Sequence, residues 1–351
     1  MRIRRPFPLV LAVVVVAAAV TVAVQLRKNA PPEPARLLPG ADAFVYVNLG
    51  WVRKLNPESS VPAVYHDPEY QRFIEQTGFE FERDLDAAAF AVHYPVNWPG
   101  GGTGSAAPEP RFSEVFVGRF DGGKLGAYLK QHAQSVENYQ SVDIFTIPLE
   151  GRSFRVAILG VDAVACSNHD DAAVIRGMVD RSRRLASPFG GPALLRRYYK
   201  RVQFDSPAWV VAHVQPSAPG FGGWDDIFSK PADLVISAGY NPLHLPLRSG
   251  ALHLRAEALT GSVDDARGIA DKLKAYLTVF HAAEGSVGGS GTDADVKALF
   301  DSLQVRQEGD RATLSAAIPA GFLKKMFSEM PEAQQQWNPQ TQAKPATSEP
   351  H

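Results

Sequence analysis

The sequence of 351 residues contains one cysteine, Cys166, so there is no disulfide framework to form and no multi-cysteine zinc or iron–sulfur site to fill. A preponderance of one charge sign is missing too. With 36 basic against 37 acidic side chains, the chain has no global field to gather nucleic acid or an anionic surface, and any electrostatic partner must be met by a local patch. Long apolar runs are absent except for one at the N-terminus, which excludes a polytopic membrane protein. A content of 45% hydrophobic and 21% charged residues excludes collagen-like and fully disordered classes. Stability must come from packing.

Catalytic signatures are also lacking. There is no GxSxG turn, no SxxK, no HExxH and no calcium-loop spacing. Residues 118–124 satisfy GxxxxGK between an expected strand and an expected helix, the setting of a phosphate-binding loop. The next residue is Leu125, where a Ser or Thr oxygen would have to hold magnesium, so Lys124 is given no phosphate role. Asn168-His169-Asp170-Asp171 groups three potential ligands at an expected helix start, where carboxylates complement the helix dipole and aspartate caps. Asp225-Asp226 and Asp264-Asp265 read the same way, and His244 and His253 read as polar side chains flanking a hairpin. No catalytic, cofactor-binding or metal-ligating residue is assigned and no cofactor is expected.

What is present begins with an address. MRIRR carries three arginines, and residues 7–26 follow without a charge, long enough to span a bilayer. Inside a water-soluble body such a run would have no polar face to present. Arg27-Lys28 then act as a stop, and the basic start predicts a cytoplasmic N-terminus with the body outside. A cleaved signal peptide is the competing reading, but its apolar core is usually shorter. No cysteine lies near the end of the run, so lipoprotein processing is excluded. The expectation is a basic start and signal-anchor helix at 1–28, then a stiff proline-rich spacer at 29–40.

The body reads as two similar halves, 41–205 and 206–330, before a polar tail at 331–351 expected to be disordered. FVYVNL at 44–49 matches AWVVAHV at 208–214, and AAAFAVHYP at 87–95 matches DLVISAGYNP at 233–242. SEVFVGRF followed by a helical pattern matches ALHLRAEAL followed by another. Further strands and a closing helix continue each half: VDIFTIP matches SLQVRQE, and FRVAILG with VDAVACS matches RATLSAAIP. Strands arriving in adjacent pairs imply hairpins, hence an α+β fold of largely antiparallel sheets with helices packed on one face.

One charge concentration stands out. Arg183, Arg184, Arg196, Arg197, Lys200 and Arg201 form a possible anionic-contact patch, suited to anionic lipid or an acidic protein face. A solvated helix face is the plain alternative for the same residues.

The opening LLPGADAFVYVNL, following the anchor and spacer, resembles the start of uncharacterised membrane-anchored exported bacterial proteins in which Leu-Pro, a small residue and Asp precede a YVxL strand. The resemblance implies an extracytoplasmic domain of unknown function and carries over no site residue. The expected function is a single-pass, membrane-anchored, non-catalytic binding or scaffolding protein of the cell envelope. Its expected partners are the membrane and another envelope protein or anionic lipid, with no nucleic acid. The alternative is an exported hydrolase with site residues drawn from separated loops.

Overall fold

The computed structural model describes residues 30–55, 66–94, 110–149, 151–183, 190–204, 206–216, 226–240, 251–287, 293–323 and 325. The run at 1–28, Arg184, Asp225, His244 and the tail at 331–351 lie outside the described residues. Among the described residues no helix is long and apolar enough to cross a membrane.

In chain order, α1 (Glu33–Leu37) leads to β1 (Ala43–Asn48), α2 (Leu49–Leu55), α3 (Pro68–Thr77), α4 (Phe81–Asp84), β2 (Leu85–His93) and β3 (Arg111–Gly118). Then come α5 (Gly122–His132), β4 (Ser135–Tyr139), β5 (Val142–Leu149), β6 (Arg152–Ile158), β7 (Ala163–Ser167) and α6 (Ala173–Arg183). The rest of the chain forms α7 (Ala193–Tyr198), a 3-10 turn (Tyr199–Arg201), β8 (Ala208–Val214), β9 (Ala232–Tyr240) and β10 (Leu252–Leu259). It ends with α8 (Val263–Val287), α9 (Ala294–Ser302), β11 (Gln304–Glu308) and β12 (Arg311–Ile318). Helix starts are capped as short polar side chains dictate: Asp67 accepts from the Glu69 and Tyr70 amides at 2.8 Å, and Gly78 closes α3 in the left-handed region.

The fold is α+β, but the strands make one continuous 12-stranded antiparallel sheet rather than separate sheets, in the order β11-β12-β10-β9-β8-β1-β2-β3-β7-β6-β5-β4. The halves join at its centre through β1 and β8, with Val45 opposite Val210 and Tyr46 stacked on Trp209 at 5.5 Å between rings. Outward from that pair each half repeats one plan: a three-strand meander, a helix, then strands returning to lie antiparallel beside the third. The first half adds the β4–β5 hairpin at its edge. By sheet position β11 takes the place of β6 and β12 that of β7, a shift from the matching read in the sequence.

Helices cover both faces of the sheet, not one. On the first face α1, α6 and α7 supply Ala35, Ile175, Met178, Val179 and Leu195 to a core with Phe44, Ala89, Val115, Ala157, Ala165 and Trp209. On the second, α5 packs Leu125 and Leu129 over Phe145 and Val156, while α8 packs Ile269 and Ala270 over Leu234 and Ala258. The physical reason lies in strands such as β2, whose Ala87–Ala91 stretch is apolar on both sides and needs cover on both.

Residues 30–40, the described part of the segment expected as a stiff spacer, instead carry a helix and join the core. Pro34 stands in the first turn of α1, where its fixed φ favours the helix, and Ala35, Leu37 and Leu38 are buried in the core. α7 stands before β8 as α1 stands before β1, and Pro192-Ala193-Leu194-Leu195 echoes Pro34-Ala35-Arg36-Leu37-Leu38. The second repeat therefore begins near residue 190, ahead of the 206 boundary. The two segments meet at Gly191, which has φ +101° and lies so close that a Cβ would sit 3.3 Å from the Arg36 Cα.

Candidate functional site

Strand registers counted outward from Val45 and Val210 put the halves in correspondence and expose a difference between them. On the first face Val115, Ala157, Ala163 and Ala165 occupy the positions held in the second half by Glu257, Arg306, Arg311 and Thr313. In the first half Val115, Ala157 and Ala165 are buried in the core that includes α6. In the second half the same surface is polar and open: Arg255, Gln304, Arg306 and Glu308 are exposed, and Thr313 and Ser315 are half-buried.

Glu257 is the centre of this surface. Its side chain is only 2% exposed and carries three guanidinium neighbours: Arg201 at 3.2 Å, Arg255 two residues away on the same strand face, and Arg311 at 3.7 Å. A carboxylate so deep in a sheet needs paired, charge-assisted donors, and alternation in β10 and β12 supplies two of them. The third comes from the chain after α7. Tyr198 is buried and its hydroxyl donates to Asp233, burial and that bond together raising its pKa to about 12. Asp233 also faces the His213 ring at 2.8 Å. The Gln203 amide donates to the Ser237 and His253 carbonyls at 3.3 and 3.4 Å, laying the segment across β9 and β10 and bringing Arg201 to Glu257. Arg311 also meets Glu308 at 2.5 Å, and Arg306 donates to Gln304 at 3.1 Å.

The structure divides the patch read from the sequence. Arg196, Arg197 and Lys200 point to solvent around α7 while Leu195 and Tyr198 face inward, so these three form a solvated helix face. Arg183 caps the β4–β5 turn, donating to the carbonyls of Gln140 and Ser141, both at positive φ. Arg201 alone of the described members joins the Glu257 surface. Arg255, Arg306, Arg311 and Glu257 were not singled out in the sequence. Their signal was strand alternation, since Arg255/Glu257, Arg311/Thr313/Ser315 and Gln304/Arg306/Glu308 each recur at period two.

Two other polar clusters hold groups capable of chemistry. His93 Nε2 lies 3.2 Å from Ser113 Oγ, which lies 3.0 Å from Ser167 Oγ. Burial, and then the neighbouring His169, pull the His93 pKa down to about 4, which keeps the imidazole neutral. The pair has the composition of a nucleophile and base, yet Ser113 is 0% exposed, so no substrate reaches it in this arrangement. His66, Glu80 and Glu82 bring one ligand-capable atom each within 4.8 Å of one another, but Glu80 is held by Arg83 at 2.9 Å and Glu82 by the Tyr70 hydroxyl at 2.7 Å.

At the phosphate-loop look-alike, Asp121 accepts from the Gly123 and Lys124 amides, so a carboxylate occupies the helix start where a phosphate would sit. Lys124 is exposed and lies 3.9 Å from the same Asp121. The Asn168–Asp171 stretch also serves structure: Asp170 pairs with Arg111 at 3.1 Å and Asp171 accepts from the Ala173 amide at 2.8 Å.

No family model matches the sequence, and no curated protein matches it. Among solved structures, crystal forms of a protein designated TP0453 are similar. Form III aligns with TM-score 0.42 at 10% identity over 85% of this chain and 99% of that one. Form I aligns with TM-score 0.39 at 10% identity over 86% and 98% of the two chains. Form IV gives 0.38 at 11% identity over 86% and 97%.

Proposed function

We propose that this protein is a non-catalytic, single-pass membrane-anchored component of the cell envelope. Its N-terminus lies inside, and its body outside the cytoplasm binds or scaffolds a partner. The anchor reading rests on the uncharged run at 7–26 between basic flanks. The observation that carries the binding reading is the inequality of the two halves. The same sheet surface is apolar and covered in one repeat, and charged and open in the other. A repeat released from the need for an apolar cover on one face is free to use that face for recognition. The sealed Ser113–His93 pair weighs against the hydrolase alternative.

The test is cell fractionation with protease added to intact spheroplasts. The full chain is expected in the membrane fraction, uncut at its N-terminus, with its body digested from outside. A soluble cytoplasmic protein, or a mature N-terminus near Val24, would overturn the reading.

A further inference from the structure

We propose that the open face of the second half, built from Arg201, Arg255, Arg306 and Arg311 around Glu257, is a docking surface for an acidic polypeptide segment. The inference deepens the binding role proposed above and rests on it. Four guanidiniums share this face with three carboxylates, Glu257, Glu308 and Asp233, the last already engaged by the Tyr198 hydroxyl and the His213 ring, so it keeps a small positive excess in a chain whose overall charge is close to neutral. Every fixed cation on the face is arginine. The planar guanidinium fork suits bidentate carboxylates, whereas lysine meets anions as a point charge.

The depth of the groups selects among anionic partners. Side-chain exposure is 26% for Arg311 and 32% for Arg201, so these two guanidiniums are recessed, while Arg255 at 44% and Arg306 stand exposed at the rim around them. A bilayer surface presents a plane of headgroups and engages protruding cations such as Arg196 and Arg197 on α7 and Lys200 in the 3-10 turn after it. Recessed arginines on a strand face are reached by a ligand that projects carboxylates at side-chain length, as an extended acidic segment does. Glu257 then serves as the organiser: it fixes one side of three guanidiniums and lowers the ordering entropy left for the partner to supply. The contrast with Val115 at the corresponding first-half position ties this role to one repeat.

The experiment uses the full chain in neutral detergent micelles, with fluorescent poly-L-glutamate as the probe, read by anisotropy at low and high salt. Binding is expected, weakening with salt. The pair Arg255→Gln and Arg306→Gln leaves Arg201 and Arg311 on Glu257, and it should weaken binding roughly tenfold through the loss of two charge-assisted contacts. Arg196→Gln, Arg197→Gln and Lys200→Gln together should change it less than about threefold, because these groups lie on the helical segment away from the strand face and would act only through a salt-screened field. Thermal melts of both variants confirm folding. No binding of the probe by wild type, or an equal loss in both variants, would overturn the proposal. So would anionic vesicles whose capture depends on Arg255 and Arg306, an outcome assigning the face to lipid. Each of these results leaves the fractionation test of the envelope reading untouched.

Discussion

Replacing Glu257 by Gln keeps the shape of the side chain and removes the charge on which three arginines converge. In wild type the carboxylate is 2% exposed and accepts from Arg201 at 3.2 Å and from Arg255, with Arg311 at 3.7 Å. A hydrogen bond to a charged group contributes about 1.5–3 kcal/mol when buried. These arginines are a quarter to nearly half exposed, so water recovers part of that once the carboxylate is gone. The glutamine amide can satisfy one guanidinium through its oxygen, but its NH2 group faces the others as donor to donor. The net cost is about 2 kcal/mol, which in a chain of this size lowers the Tm by roughly 3–4 °C. Arg255→Gln leaves two arginines on Glu257 and should cost less than about 1 kcal/mol. The assay is a pair of circular-dichroism melts at neutral pH. A Glu257→Gln Tm equal to wild type, or an Arg255→Gln loss larger than the Glu257→Gln loss, would refute the assignment of Glu257 as the organising charge.

Four further outcomes are expected. His93 has a folded-state pKa of about 4 against an ordinary 6.5, so the unfolded chain binds the extra proton between those values. Stability should therefore fall as pH drops from 6.5 to 4, by about 3 kcal/mol in all, and His93→Asn should flatten that part of a Tm-against-pH curve. Leu38→Ala should destabilise by about 2–5 kcal/mol in denaturant titration if the segment before β1 is core rather than spacer. Gly118→Ala should lower the Tm, because its Cβ would press into the Asp84 carbonyl, an overpacking cost of about 1–3 kcal/mol. Lys124→Ala should leave stability within about 0.5 kcal/mol, and calorimetry with ATP and magnesium should detect no binding to either form.

The sequence carried the α+β character and the antiparallel pairing, because strands separated by short turns can pair only as hairpins. It also carried the repeat, since AFVYVN and AWVVAH hold the same sheet position through Phe44 and Trp209. The single continuous sheet is not legible in the sequence, because the central pairing of β1 with β8 leaves no mark on either strand's own pattern. Helix cover on both faces could have been read from the two-sided apolarity of β2. α1 was hidden by its prolines, whose helix-starting role at the first turn is easily taken for a stiff linker. The charged face was missed for a different reason. Basic residues run consecutively along α6 and α7 and are conspicuous there, while the basic groups that meet in space alternate along β10, β11 and β12 and are dilute in sequence.

One sheet surface is sealed in the first repeat and open in the second, and thiol labelling tests that difference directly. Cys166, the one native cysteine, is buried, so it stays silent as an internal control. Ala157→Cys and Arg306→Cys place a thiol at corresponding positions of the two halves. In the native full chain the thiol at 306 should react with a maleimide within about tenfold of its rate in denaturant. The thiol at 157 should be slower by a factor on the order of 100 or more, set by its opening equilibrium. Equal reactivity at both positions, whether both fast or both protected, would contradict the account.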